Sequence, residues 1–254
     1  MQRRALQLIA VSCLVALAGC SGALSGGDGE PTLEDASYPD GVSENGTDLA
    51  ALSSAHNEAL NGSSFALSLD VSQNGSVANR SMAMDAVVGP DRDTVRVDIS
   101  GANQSIATYA TAEKRYLRVT AGNRTNYRAS ERTAEGAKLL PSSYSGAQYL
   151  DRFGGQVEAN FTPTEVREVN GTTLIVLRAN GSDVSDPEAT NLTDYDATLF
   201  VDERGVIHRF EASVQAERNG ESIRNSLTMT ISGVNETTVE EPPWLDEARN
   251  QTES

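Results

Sequence analysis

From residue 65 onward, apolar and polar side chains alternate with a period of two along most of the chain. Phe65, Leu67, Leu69 and Val71 alternate with Ala66, Ser68 and Asp70. Met82, Met84, Ala86 and Val88 repeat the pattern, and Val95, Val97 and Ile99 follow it. Further apolar runs lie at 116–119, 174–177, 199–201, 207–214 and 223–231, the last alternating Leu227, Met229 and Ile231 with threonine and serine. Strict alternation marks strands with one buried and one wetted face, the habit of antiparallel sheets. Asn74-Gly75, Asn170-Gly171 and Asn219-Gly220 each separate two such runs. Asn-Gly suits a two-residue hairpin turn, in which both central residues need positive φ. Asp202-Glu203-Arg204-Gly205 marks another tight turn. The pattern therefore predicts a meander of hairpins.

Two stretches depart from this period. Leu49, Leu52, Ala55 or His56, and Ala59-Leu60 share one helical face, so a helix is expected at about 48–60. Thr47 or Asp48 caps its start, and Asn61-Gly62 ends it. Residues 130–153 show little alternation. Ser142-Ser143 is expected to cap a short helix carrying Ala147, Leu150 and Phe153, closed by Gly154-Gly155. Residues 162–169 fit either a helix or a strand.

The N-terminus has a different pattern. Arg3 and Arg4 precede an apolar run from Leu6 to Leu17, shorter than the roughly 20 residues a membrane span needs. Small residues then lead to a cysteine, as Leu17-Ala18-Gly19-Cys20. This order is that of a signal peptide rather than a transmembrane helix. The tetrapeptide resembles a lipobox: Ala18 and Gly19 fit a peptidase cleft, and the Cys20 thiol takes a lipid. Arg3-Arg4 also resembles a twin-arginine export signal, and twin-arginine and general export both stay open. The expected organisation is a signal peptide at 1–19, a lipidated flexible tether at 20–46, one domain at 47–240 and a polar tail at 241–254. Membrane contact is expected through lipidated Cys20, on the outer face of the cytoplasmic membrane.

Composition sharpens this picture. Net charge is −16, and removal of Arg3 and Arg4 with the signal peptide takes it to −18. Such an excess argues against nucleic acid and against docking on an anionic lipid surface, since both need basic patches. Lys114 and Lys138 are the only lysines. This acid-rich, lysine-poor balance resembles that of halophilic proteins, which stay soluble where salt screens charges to about 3 Å at 1 M. Cys13 and Cys20 are the only cysteines, so with Cys20 lipidated no disulfide forms in the mature chain.

Little here points to catalysis or cofactors. The only histidines, His56 and His208, are far apart in sequence, which argues against a transition-metal site. Asp91-Arg92-Asp93 and Asp183-Val184-Ser185-Asp186 lack the calcium-hand pattern and read as solvated turns. Nucleophile elbows and phosphate-binding glycine loops are missing. His208 beside Arg209 reads as a strand histidine rather than a base. No catalytic residue, metal or cofactor is expected. Asn-X-Ser/Thr occurs at Asn45, Asn61, Asn74, Asn79, Asn103, Asn123, Asn160, Asn170, Asn180, Asn191, Asn235 and Asn250. These asparagines are candidate glycosylation sites of an exported chain, although asparagine, glycine, serine and threonine are also the residues of turns.

The order of lipobox, tether, helix, meander, helical interruption and further hairpins resembles the LolA/LolB and LppX/LprG-type lipoprotein carriers. The hairpin at 199–210 is the best local match. The Leu17-Ala18-Gly19-Cys20 start, the Ser37 to Val42 stretch and Pro242-Pro243-Trp244-Leu245 resemble uncharacterised haloarchaeal lipoproteins. The carrier resemblance implies an α+β fold. It would be a strongly curved antiparallel sheet, a half-barrel, with an N-terminal helix and a mid-chain helical insertion on its concave face. It also implies a lipid or another apolar ligand, in a cavity for which Leu67, Leu69, Met82, Met84, Leu174, Val176, Leu199 and Leu227 are the candidates. Two readings stay open: a non-catalytic lipid-binding lipoprotein, and a structural or protein-interaction module of the cell envelope with a filled core. Cavity volume separates them.

Overall fold

The structure is a computed structural model and describes residues 31–75, 79–132, 144–186, 191–218 and 220–252. Arg3, Arg4, Leu17, Ala18, Gly19 and Cys20 lie outside the described residues, as do Ser142 and Ser143.

A small hairpin, β1 (Val42–Ser43) and β2 (Gly46–Thr47), leads into helix α1 (Leu49–Ala59). Six strands follow: β3 (Phe65–Gly75), β4 (Arg80–Val88), β5 (Val95–Gly101), β6 (Gln104–Ala110), β7 (Lys114–Ala121) and β8 (Arg124–Glu131). Helix α2 (Ala147–Phe153) precedes a second run of strands. These are β9 (Thr162–Val169), β10 (Thr172–Asn180), β11 (Leu192–Asp202), β12 (Ile207–Arg218) and β13 (Glu221–Ser232). Helix α3 (Leu245–Thr252) comes last.

Strands β3 to β13 form one open, curved sheet of 11 strands in the order β8-β7-β6-β5-β4-β3-β13-β12-β11-β10-β9, and every neighbouring pair is antiparallel. It is two hairpin meanders joined where the first strand of one pairs with the last strand of the other. That junction sets Leu69 opposite Met229 and Val71 opposite Leu227. The fold is the expected α+β arrangement.

Local chemistry accounts for the expected elements. Asp48 caps α1 by accepting the backbone N–H groups of Ala50 and Ala51, each at 3.0 Å. The helix stops at Leu60, and Gly62 follows with φ +75°. Asn170-Gly171 forms the β9–β10 turn with both residues at positive φ, as a type I′ turn requires. Asn74 and Gly75 instead stay in β3, paired with Arg224 and Ile223 of β13, because the strand outruns the turn signal. The undecided segment at 162–169 is the edge strand β9. Its Pro163 sits where a missing N–H is harmless. The short expected helix is α2, with Gly146 as its N-cap.

Two boundaries differ from the sequence expectation. Leu33, Ala36, Tyr38 and Val42 already pack against the main core, so the domain begins inside the stretch expected to be tether. The segment after Pro242-Pro243 is not merely a polar tail: it forms α3 and buries Trp244, Leu245 and Ala248. Three apolar residues on one face are enough to dock so short a helix, though they are too few to stand out in a polar sequence.

The main core lies between the sheet's concave face and helices α1 and α2. Leu52, Leu60 and Leu150 from the helical side meet Phe65, Leu67, Leu69, Leu199, Phe210 and Met229 from the sheet. Burying each such side chain contributes about 1.5–3 kcal/mol. Polar ties fix the helices in place. Tyr195 donates its hydroxyl to the Phe153 carbonyl at 2.9 Å, and Ser145 donates to Asn57 Oδ1 at 2.7 Å. A second core sits on the opposite, back face, where Trp244, Leu245 and Ala248 cover Ala107, Tyr109 and Tyr116. No helix among the described residues is long and apolar enough to cross a membrane.

Candidate functional site

The β11–β12 hairpin carries a network that the sequence reading missed. Asp202 ends β11 with its carboxylate 3 % exposed. Its Oδ1 accepts the backbone N–H of Arg204 at 3.0 Å and of Val206 at 2.9 Å. Its Oδ2 accepts Arg204 Nη2 at 2.8 Å and His208 Nε2 at 3.2 Å. Burial alone would raise the Asp202 pKa, but the bonds from His208, Arg204 and Val206 outweigh it and hold the group at about 2. His208 is positioned by a bulge. Val201 pairs with Ile207 and Phe200 with Arg209, so His208 is the extra residue of β12. A bulge re-aims the side chain it carries, and here it aims His208 at Asp202. The turn also needs its glycine. Gly205 has φ +88°, and a Cβ there would lie 2.9 Å from the Ala55 methyl of α1.

His56 sits behind this hairpin, fully buried. Ile207 N–H donates to its Nδ1 at 3.0 Å, so Nε2 carries the proton and donates to the Ser145 carbonyl at 2.9 Å. Burial lowers its pKa to about 4, against a smaller upward pull from the Ser145 bond. The fold thus brings both histidines to one strand end, around Ile207. His56 keeps both nitrogens committed to backbone and serves as a clip between α1, β12 and the α2 approach.

On the back face beside this hairpin lies a depression of about 500 Å³. Leu174 and Phe200 form its floor, with Val169 at the edge. Arg204, His208 and Arg209 line one side, and Val234 and Glu236 come from the chain after β13. The Arg167 guanidinium lies over the Phe200 ring at 5.8 Å. Val169 is 45 % exposed, unusual for a large apolar side chain in this structure. Chemically the site offers an apolar floor beside two guanidiniums and an imidazole.

The expected cavity residues divide between two places. Leu67, Leu69, Met84, Leu199 and Leu227 are buried in the main core, and Met82 is half-buried at its margin. Leu174 and Val176 belong to the opposite face. Val176 pairs with Phe200, whereas the concave face takes Ile175 and Leu177 opposite Val201 and Leu199. All four residues of that run are buried, so alternation could not assign their faces. Asp91 and Asp93 line an open depression of about 460 Å³ with Asn235 and Thr237. Asp183 accepts the Asn180 backbone N–H and closes a capping box. No group of three metal-ligating side chains is found among the described residues.

Several solved structures are similar in architecture. LprF from Mycobacterium bovis is 12 % identical, with a TM-score of 0.39, over 78 % of this chain and 99 % of that one. The lipoprotein LppX from Mycobacterium tuberculosis is 13 % identical, with a TM-score of 0.29, over 76 % and 98 % of the two chains. The MucA/MucB complex of Pseudomonas aeruginosa gives 15 %, a TM-score of 0.30, and 80 % and 60 %. At such identities and TM-scores the likeness says nothing of ligand or activity. No curated protein matches by sequence. The model of DUF7537, a family of unknown function, matches residues 5–248, and the chain belongs to that family.

Proposed function

We propose that this chain is an exported, non-catalytic lipoprotein, anchored through Cys20 on the outer face of the cytoplasmic membrane, that binds an amphipathic lipid. The observation that carries the binding reading is the back-face depression. Its Leu174 and Phe200 floor suits an acyl chain, and Arg204, His208 and Arg209 suit a polar headgroup at its side. Its volume of about 500 Å³ is in the range of small-molecule sites. The supporting observation for export is the Arg3-Arg4, apolar run and Leu17-Ala18-Gly19-Cys20 order.

Native mass spectrometry of protein purified from its own cells tests both parts. The expected species carries thioether lipid on Cys20 and one further, non-covalent lipid. The double variant Val169→Asp, Arg209→Glu changes the depression's edge without touching the core, and it should lose the non-covalent lipid while unfolding at the same temperature. Wild-type protein with no non-covalent mass, or a variant that keeps it, would overturn the binding reading. An unmodified Cys20 would overturn the anchor.

A further inference from the structure

The asparagines of this chain are not distributed as turn chemistry alone requires. Twelve of its 16 asparagines have Ser or Thr two positions later, and none of the twelve is followed by proline. Serine and threonine together make up 46 of 254 residues, so chance would place about three asparagines in that context. A turn asks for asparagine and often glycine, but not for a hydroxyl two residues on. At Asn79, Asn103 and Asn123 no glycine follows, and φ is not positive.

The fold adds two facts. All twelve asparagines are exposed; of the described asparagines that lack the following hydroxyl, Asn57 and Asn225 are half-buried and Asn126 is exposed. The antiparallel order also places most of the twelve at one edge. Taking the end of the sheet where β3 finishes as the upper edge, the connections β3–β4, β5–β6, β7–β8 and β10–β11 all lie there. Each carries at least one of these asparagines, whereas the fifth connection at that edge, β12–β13, carries none. Asn160 enters β9 at the same edge, and Gly46, next to Asn45, abuts its side chain. On the lower edge the β4–β5, β6–β7 and β11–β12 connections carry none; Asn170 lies in the β9–β10 hairpin, Asn61 precedes β3 and Asn235 follows β13.

We propose that the upper edge of the sheet is a glycosylation surface, modified at Asn74, Asn79, Asn103, Asn123, Asn180 and Asn191. The co-substrate is a saccharide carried on a lipid phosphate. In each transfer the carboxamide Nδ2 attacks the anomeric carbon and a C–N bond forms. The C–O bond to phosphate breaks, the lipid phosphate leaves with the electron pair, and one Nδ2 proton passes to a base of the transferase. The geometry at Asn180 leaves the reacting atom uncommitted in its cap: it is Oδ1 that accepts the Ser182 N–H at 2.9 Å. At Asn79 it is likewise Oδ1 that accepts, from Gly75 N–H. The product would cover most turns at one end of the sheet with hydrated, uncharged bulk, and would leave the β4–β5, β6–β7 and β11–β12 turns bare.

Glycopeptide mass spectrometry of the full chain purified from its own cells tests this. Peptides spanning the upper turns should carry saccharide. Ser105→Ala and Thr125→Ala remove the acceptor context but keep Asn103 and Asn123 in their turns. Each should lose one saccharide increment from the intact mass, with the unfolding temperature unchanged. Bare peptides at all six upper sites would overturn the proposal, as would an intact mass that neither substitution reduces beyond the side-chain change. The proposal rests on export, and the two are separable: lipid on Cys20 with bare asparagines removes glycosylation alone.

Discussion

The two arms of the sheet bury opposite faces. In β10 to β13, and across β3 to β5, the concave face is buried under α1 and α2, with Leu69, Phe210 and Met229 fully enclosed. In β6 to β8 the back face is buried instead, where α3 brings Trp244 and Leu245 onto Tyr109 and Tyr116. The change falls between neighbours. Val97 of β5 is buried on the concave side, yet Tyr109 of β6 pairs with half-exposed Arg96 on the other side. Along the margin, Val71, Met82 and Ile99 are only half-buried. A sheet this wide cannot be covered on one face by a helix of 11 residues and another of seven. The chain therefore recruits its last helix to the other side of the far arm.

The largest test of this contrast is Phe210→Ala. Phe210 meets Phe161 edge to face at a centroid distance of 6.4 Å within the main core. Its truncation should lower global stability by about 3–5 kcal/mol, read by denaturant unfolding. Ending the chain after Glu241 should act locally. It uncovers Tyr109 and Tyr116, so amide exchange should accelerate in β6 to β8 while β10 to β13 keep their protection. Uniform acceleration would mean that the two arms unfold as one unit and that the contrast has no energetic meaning.

Acid should act through the main core. His56 has a folded pKa of about 4 against 6.5 for the free side chain, because burial disfavours the imidazolium. The unfolded chain thus binds the extra proton first. This contribution to stability is complete above about pH 6.5 and lost as pH falls towards 4. The shift corresponds to on the order of 3 kcal/mol. His56→Gln should flatten that stretch of the stability–pH curve, and an unchanged slope would show that another group governs it.

Two smaller effects sharpen the far arm. Trp244 lies under Arg118, whose guanidinium carbon is 5.3 Å from the ring centroid, and its indole N–H meets no acceptor among the described residues. Trp244→Phe should therefore change stability by less than about 1 kcal/mol, since the lost contacts are offset by removal of a buried, unpaired donor. Smallest of all, Arg224→Ala removes a half-exposed pair with Asp194 at 3.0 Å, for which about 0.5 kcal/mol is expected.

Much of this architecture was readable in residue order. Asp48 and Asn61-Gly62 bracket α1, and Asn170-Gly171 makes its turn, because caps and turns depend on neighbours a few residues away. The alternation in β3, β4, β5 and β13 matches their burial, since each has one covered face. Strand β6 escaped notice because Ala107 and Tyr109 are small or amphipathic and face a helix far along the chain, at Leu245–Thr252. Strand β8, mostly exposed, has no apolar period to read. The Asp202 network was hidden for a related reason. A bulge that turns His208 inward depends on pairing with β11, and His56 joins it only through tertiary contact.

The sequence by itself determined that this protein is an antiparallel meander with one capped helix, and it carried the full set of Asn-X-Ser/Thr sites. Both are properties of short stretches. Only the tertiary structure decided which face of each strand is buried, that β3 pairs with β13, and that Leu174 belongs to a back-face depression rather than to the core. Alternation states that two faces differ. Which of them meets apolar cover depends on helices that arrive from elsewhere in the chain.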